Sequence, residues 1–165
     1  MPHADFPTAL GTCRIAWQDD RLTGFRLPGN EPDGPRPTAG DPPPPWVAAV
    51  IARVQRHLQG DLQDFADVSY AFTQVGEFAA EVYRALLAIK PGQTCSYGDL
   101  ARALGHPPAA SRAVGHALGA NPWPLLVPCH RVVAGDGRMT GFSAPGGIRT
   151  KLRLLALEGA QLFAE

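Results

Sequence analysis

Cysteine is scarce in this chain: three in 165 residues, Cys13, Cys95 and Cys129, an odd number at wide spacing. That excludes a disulfide framework and favours a reducing compartment. Long hydrophobic runs are missing as well; none approaches the roughly eighteen residues that a membrane helix needs. Met1 to Leu10 has neither a basic start nor an apolar stretch, so no secretory signal is expected and the predicted location is cytoplasmic. A dinucleotide fingerprint is lacking, because Gly135-Asp136-Gly137 reads as a turn without the strand-to-helix spacing around it. No S-adenosylmethionine or nicotinamide site is visible, and no cofactor is expected. Internal repeats are absent too.

Net charge is zero, but unevenly spread. Residues 1–72 hold six basic against nine acidic residues, and residues 73–165 hold nine basic against six, with His106, His116 and His130 in addition. Halves of opposite sign suggest two lobes, the second able to meet a polyanion. The bias is too small to identify DNA by itself.

Organisation fits that division. Thr8 to Leu27 reads as a β-hairpin around Gln18-Asp19-Asp20. Residues 28–45 hold eight of the seventeen prolines and read as a loop or stiff linker. Trp46 to Leu58 has an amphipathic helical pattern, and Phe65 to Phe72 alternates weakly, as a strand would. In the second half, Glu77 to Ile89 is a helix stopped by Pro91-Gly92. Ser96-Tyr97-Gly98-Asp99 is a capping box opening a short helix with Leu100, Ala103 and Leu104 inward. After Gly105, Pro107-Pro108 starts another helix running to Gly119. Two short helices so joined form a helix-turn-helix pattern. The fold class is α+β, divided as 1–72 and 73–165.

What is present and unusual is Leu126-Val127-Pro128-Cys129-His130-Arg131-Val132-Val133, a reactive triplet inside an apolar run read as a strand. An unperturbed cysteine is only slightly ionised near pH 7, and a neighbouring base is the usual remedy. The bland alternative is a buried cysteine acting as a small hydrophobe. On the second short helix, Ala110, Val114, Ala117 and Leu118 form the buried stripe. Arg112, Gly115, His116 and Gly119 share the opposite face, which suits close approach of a phosphate backbone or is simply a solvated face. Ile148 to Leu157 reads as a helix with Leu152, Leu155 and Ala156 inward. Glu158 then sits at its negative end, where a carboxylate is disfavoured and needs a partner. Cysteine, histidine and glutamate would form nucleophile, base and orienter.

Tyr97, Ser111-Arg112-Ala113-Val114-Gly115, Asn121-Pro122, Pro128-Cys129-His130-Arg131-Val132, Gly141-Phe142-Ser143 and Leu154-Leu155-Ala156-Leu157-Glu158-Gly159 occur in one order. Over residues 73–159 the chain closely resembles the methylated-DNA–protein-cysteine methyltransferases, the O6-alkylguanine-DNA alkyltransferases. The resemblance implies a ribonuclease-H-like N-terminal lobe with a small antiparallel sheet, and a mostly helical C-terminal lobe carrying the helix-turn-helix. It implies a monomer that binds duplex DNA in the minor groove and flips out O6-alkylguanine, with O4-alkylthymine a further substrate. Cys129 would take the alkyl group irreversibly, once per molecule. His130, through a water held with Glu158, would accept the thiol proton. Tyr97 matches a donor toward the guanine ring, Asn121 a hinge, and Arg112 the finger that fills the vacated stack. Val132, through its backbone, and Ser143 match base-holding positions. Ser111, Ala113, Gly115, Arg131 and Phe142 complete the expected substrate- or DNA-binding set.

Departures from the family pattern are the inserted Ala144-Pro145 and Phe142 in place of a frequent tyrosine, both bearing on substrate range. The structural zinc of some members is not expected, since His3 and Cys13 cannot supply four ligands. Two other classes compete. A non-catalytic lesion-binding protein would lack the reactive cysteine. An unrelated thiol hydrolase would need an oxyanion hole, and no feature supplies one.

Overall fold

The computed structural model describes residues 2–28, 40–134 and 147–160. The expected contacts at Phe142 and Ser143, the Ala144-Pro145 insertion, the Gly135-Asp136-Gly137 turn and most of the proline-rich loop lie outside these residues.

Three antiparallel strands open the chain, β1 (His3–Thr8), β2 (Gly11–Gln18) and β3 (Arg21–Arg26), in the order β1-β2-β3. The β2–β3 hairpin turns at Asp19, whose φ of 54° is the left-handed geometry that aspartate tolerates. Strand β1 precedes the expected hairpin, which began at Thr8. Its alternation is nonetheless regular, with Ala4 and Phe6 buried between less buried neighbours. Helix α1 (Pro45–Leu58) follows, started by a proline at its first position and burying Val47, Val50, Val54, His57 and Leu58.

Phe65 to Phe72 is not the strand its weak alternation suggested. Tyr70 makes one isolated bridge to Leu22, and a 3-10 turn follows at Phe72–Gln74. The backbone bonds of Leu22 to Ser69 and Ala71 cap the open edge of β3, which needs covering but not a full strand.

Helix α2 (Glu77–Leu86) buries Ala80, Val82, Tyr83 and Leu86. Strand β4 (Cys95–Ser96) leads into α3 (Tyr97–Ala103), where the Ser96 side chain accepts from the Asp99 amide at 3.0 Å as the capping box predicted. Ala101, rather than Ala103, joins Leu100 inside. After a 3-10 turn at Pro108–Ala110, α4 (Ser111–Gly119) buries Val114, Ala117 and Leu118. Strand β5 (Val132–Val133) pairs in parallel with β4, and α5 (Gly147–Leu157) closes the described chain.

Helix α5 is rotated from its expected inward face. Lys151, Leu154 and Leu155 are buried, whereas Leu152 and Ala156 are exposed. The reason is a polar demand: the Lys151 ammonium donates to the Val132 carbonyl at 2.8 Å, and this draws its turn inward.

A single hydrophobic cluster runs through both halves of the chain. Trp123 is its hub. It is fully buried, meets Tyr70, Phe72 and Tyr83 edge-on, and donates its indole N–H to the Leu22 carbonyl at 3.1 Å. The Phe25 amide donates to the Pro122 carbonyl at 2.9 Å. The segment before Cys129 is therefore anchored on the N-terminal sheet.

Candidate active site

Cys129, His130 and Arg131 do not lie on a strand; they form one 3-10 turn. Two backbone features build it. The Cys129 amide bonds to the Val127 carbonyl at 2.8 Å across Pro128, whose φ of −81° and ψ of 66° make an inverse γ-turn. Just upstream, Leu125 is held at φ 78°, in the left-handed region that a branched side chain rarely occupies. Packing overdetermines it, because Leu125, Leu126 and Val127 are all buried. Asn121 clasps the same loop. Its amide donates to the Val127 carbonyl at 2.9 Å and its side-chain oxygen accepts from the Trp123 amide at 2.9 Å.

Cys129 is 5% exposed. Burial pushes its thiol up to about 11, against smaller lowering by a hydrogen bond from Asn121 and by the nearby charge of Lys151. At that value only about one molecule in ten thousand carries a thiolate near pH 7. A thiol held there would need a base close by to take its proton before it could act as a nucleophile.

His130, the next residue, is fully buried. Its Nε2 lies 3.0 and 2.9 Å from the two carboxylate oxygens of Glu158. Arg131 grips the same carboxylate with two parallel bonds, Nε to Oε1 and Nη2 to Oε2, each 2.9 Å. His57, from α1, adds a third contact, Nε2 to Oε2 at 2.9 Å. Burial by itself would raise the Glu158 carboxyl, but hydrogen bonds from His130, His57 and Arg131 outweigh it and hold the group well below the usual carboxylate range. A carboxylate can only accept here, so the His130 proton sits on Nε2. The other ring nitrogen, Nδ1, is buried and has no hydrogen-bond partner among the described residues. Burial lowers the His130 pKa, with Glu158 opposing. The imidazole is thus neutral, oriented, and left with a lone pair on Nδ1.

The supports of this cluster converge from distant parts of the chain. The Arg131 Nη1 donates to the Ile89 carbonyl at 2.6 Å. Gly92, at φ 89°, lies so close to the Glu158 carbonyl that a Cβ there would meet it at 3.2 Å. The Tyr83 hydroxyl donates to the Ala117 carbonyl at 2.7 Å, tying α2 to α4. Burial pushes that phenol up to about 12, and the charge of Cys129 adds to the rise.

Residues 77–160 match the family model described as 6-O-methylguanine DNA methyltransferase, DNA binding domain. A methylated-DNA–protein-cysteine methyltransferase of Mycolicibacterium paratuberculosis is 38% identical over 149 residues, 90% of this chain and 87% of the relative. The chain belongs to the methylated-DNA–protein-cysteine methyltransferase family. A DNA base-flipping protein of Thermus thermophilus is 43% identical over 156 residues, covering 93% of this chain and 97% of the relative. The crystal structure of Mycobacterium tuberculosis OGT in complex with DNA superposes with a TM-score of 0.78 at 35% identity, covering 94% of this chain and 92% of that one.

In this methyltransferase-family chain, the sequence-predicted residues fall into two groups. Cys129, His130, Arg131, Glu158 and Asn121 gather at one buried centre. Arg131, expected among the substrate or DNA contacts, is buried there as the counter-ion of Glu158. Val132 lies beside it, its carbonyl already accepting from Lys151. The second group is the outward part of α4: Arg112, Ala113 and His116 are exposed, and Ser111 and Gly115 partly so. Tyr97 joins the two groups. It follows directly on β4, which pairs with Val132–Val133, and its ring lies 3.9 Å from where a Gly115 Cβ would stand.

Two members of the cluster escaped the sequence reading, His57 and Lys151. Lys151 alone carried a faint signal, as a charge at i−4 and i−3 from the inward Leu155 and Leu154. Cys13 and Cys95 stay apart from this chemistry. Burial pushes Cys13 up to about 12 and Cys95 up to about 11, with Asp99 adding to the latter.

Proposed function

We propose that this protein repairs DNA by moving the alkyl group of O6-alkylguanine onto its own Cys129, irreversibly and once per molecule. The observation that carries this reading is the thiol beside a neutral, Glu158-held imidazole whose free lone pair is Nδ1. The Cys129 sulfur attacks the alkyl carbon in line with the C–O6 bond. A new C–S bond forms as the C–O6 bond breaks, and the departing electron pair spreads over the guanine ring, toward which the Tyr97 hydroxyl donates. The thiol proton passes across a bridging water to His130 Nδ1. Glu158 stabilises the imidazolium, and Arg131 keeps Glu158 ionised. Asn121 and Lys151 favour the developing thiolate by a hydrogen bond and by charge. The thioether is stable, so the reaction ends there.

Duplex DNA is the partner. Helices α3 and α4 serve as a helix-turn-helix, with Ser111, Ala113 and Gly115 at the backbone and Arg112 filling the stack vacated by the flipped base. Extrusion costs a few kcal/mol, and a side chain in the gap offsets part of it. Val132, Phe142 and Ser143 hold the extruded base, and O4-alkylthymine is a further substrate. Residues 1–72 act as a supporting lobe, whose β1-β2-β3-α1 order fits a ribonuclease-H-like arrangement. The protein works as a monomer, and its three free thiols suit the reducing cytoplasm.

The Thermus relative named as a base-flipping protein favours a second reading, in which the chain only binds and extrudes lesions. Cys129 and its base speak for the transfer reaction instead. Titrating duplex containing O6-methylguanine with protein separates the two. Transfer gives demethylated DNA up to one equivalent of protein and then a plateau; binding alone leaves the lesion methylated.

A further inference from the structure

His57 is a fully buried histidine on α1, and the sequence separates it from Glu158 by 101 residues. Nothing in the packing of α1 calls for an imidazole at this position. Its two nitrogens are both committed. The Gln63 backbone amide donates to Nδ1 at 3.0 Å, so Nδ1 bears the lone pair and Nε2 bears the proton. Nε2 then donates to Glu158 Oε2 at 2.9 Å. The ring is further fixed against Phe65, with centroids 5.5 Å apart.

The consequence lies on the far side of the carboxylate. Glu158 Oε2 also faces His130 Nε2 and Arg131 Nη2, both at 2.9 Å. Arg131 alone could hold a carboxylate bidentately in its own plane and turn it away from His130. With His57 as an additional donor, the carboxylate keeps an oxygen on His130 Nε2. We infer that His57 is a positioning residue for alkyl transfer: through Glu158 it holds the His130 proton on Nε2 and so leaves Nδ1 as the base. The inference rests on the reading of His130 as the base of the transfer reaction. It also assigns the N-terminal lobe a share in the chemistry beyond packing.

The test compares His57→Phe, His57→Gln and His57→Asn with the wild type. Phenylalanine keeps a planar aromatic ring, somewhat larger than imidazole, and removes the donor. Glutamine carries an amide N–H to about the Nε2 position, while asparagine reaches only the Nδ1 position. Single-turnover transfer is measured on duplex O6-methylguanine and on the free base O6-benzylguanine, across pH. We expect His57→Phe and His57→Asn to slow transfer by about tenfold to a hundredfold on both substrates, with DNA affinity unchanged. His57→Gln should recover most of the rate.

The acid limb of the pH profile should move to higher pH in His57→Phe, because a carboxylate with one donor fewer attracts a proton on His130 more strongly. The other groups that face this centre stay in place: Glu158 just after α5 and Arg131 beside His130, with Lys151 of α5 and Tyr83 of α2 on the Cys129 side. A mere packing role would not shift that limb. A folded His57→Phe with the wild-type rate and profile overturns the inference, and so does a folded His57→Gln as slow as His57→Phe. Imidazole 15N NMR of the wild type gives an arm that needs neither variants nor activity. His57 and His130 should both show the Nε2–H tautomer near neutral pH; an Nδ1–H His57 overturns the inference even if His57→Phe fails to fold. Wild type that transfers nothing at all would instead refute the transfer reading, leaving the tautomer result to stand separately.

Discussion

Replacing Glu158 by glutamine probes the centre where the geometry is most demanding. The carboxylate accepts from His130, His57 and twice from Arg131, all at about 2.9 Å. An amide offers one acceptor oxygen and an NH2 that opposes any donor facing it. If the amide nitrogen turns to His130, relief requires the His130 proton to move to Nδ1, which removes the base. In either orientation the amide nitrogen also faces one Arg131 N–H, since Nε and Nη2 bond different oxygens, so a buried guanidinium loses half its bidentate contact and its counter-charge. The first outcome predicts a loss of about 10²–10⁴ in the transfer rate, the usual worth of a correctly poised general base. The second predicts destabilisation of about 3–5 kcal/mol, as when one partner of a buried ion pair is removed. Rapid-quench single-turnover kinetics on duplex O6-methylguanine, well below a melting temperature read by circular dichroism, separate the two. His130→Ala and the double variant should be no slower than Glu158→Gln by more than a small factor, since the two residues act as a unit. A folded Glu158→Gln that transfers within about threefold of wild type would refute this account of activation.

Other expectations follow from the same geometry. Cys129→Ser should abolish transfer yet still bind duplex DNA, as a gel-shift assay would register; retained transfer would exclude Cys129 as acceptor. Arg112→Ala should slow repair of duplex DNA far more than reaction with free O6-benzylguanine, which needs no extrusion; equal losses would make Arg112 a support of the fold. Because burial lowers the His130 pKa, the transfer rate should hold constant from pH 8 to below about 6.5, the ordinary histidine value, and fall only in more acid solution. Stability should behave in parallel. The folded-state values of His130 and Glu158 both lie below their unfolded ones, so the unfolded chain binds more protons and stability drops as the pH is lowered. The histidine contribution goes below about pH 6.5 and the carboxylate contribution below about 4.3, which urea titrations across pH would resolve.

Much of the site was readable because its signals are local. The capping box at Ser96 announced α3, and the helix-dipole conflict at Glu158 announced a partner before His130 was placed against it. The turn at Cys129 reads as a strand because Leu126–Val133 is rich in branched apolar residues, and nothing local betrays an inverse γ-turn at Pro128. His57 could not be read at all: its partner is 101 residues away, and a histidine near a helix C-terminus has an ordinary explanation in the helix dipole. Lys151 was hidden for a similar reason. A lysine reads as exposed by default, and only its bond to the Val132 carbonyl draws it inward and turns α5. Strand β1 is legible in its regular alternation; the segment 65–72 alternates similarly but needs only one bridge to seal β3.

The central claim is tested most directly by intact-protein mass measurement after incubation with excess duplex containing O6-methylguanine, followed by peptide mapping. Self-methylation predicts that each molecule gains a single methyl mass, located on the peptide containing Cys129, and gains nothing more on longer incubation. An unchanged mass with the lesion intact, or lesion removal continuing beyond one equivalent of protein, would contradict it.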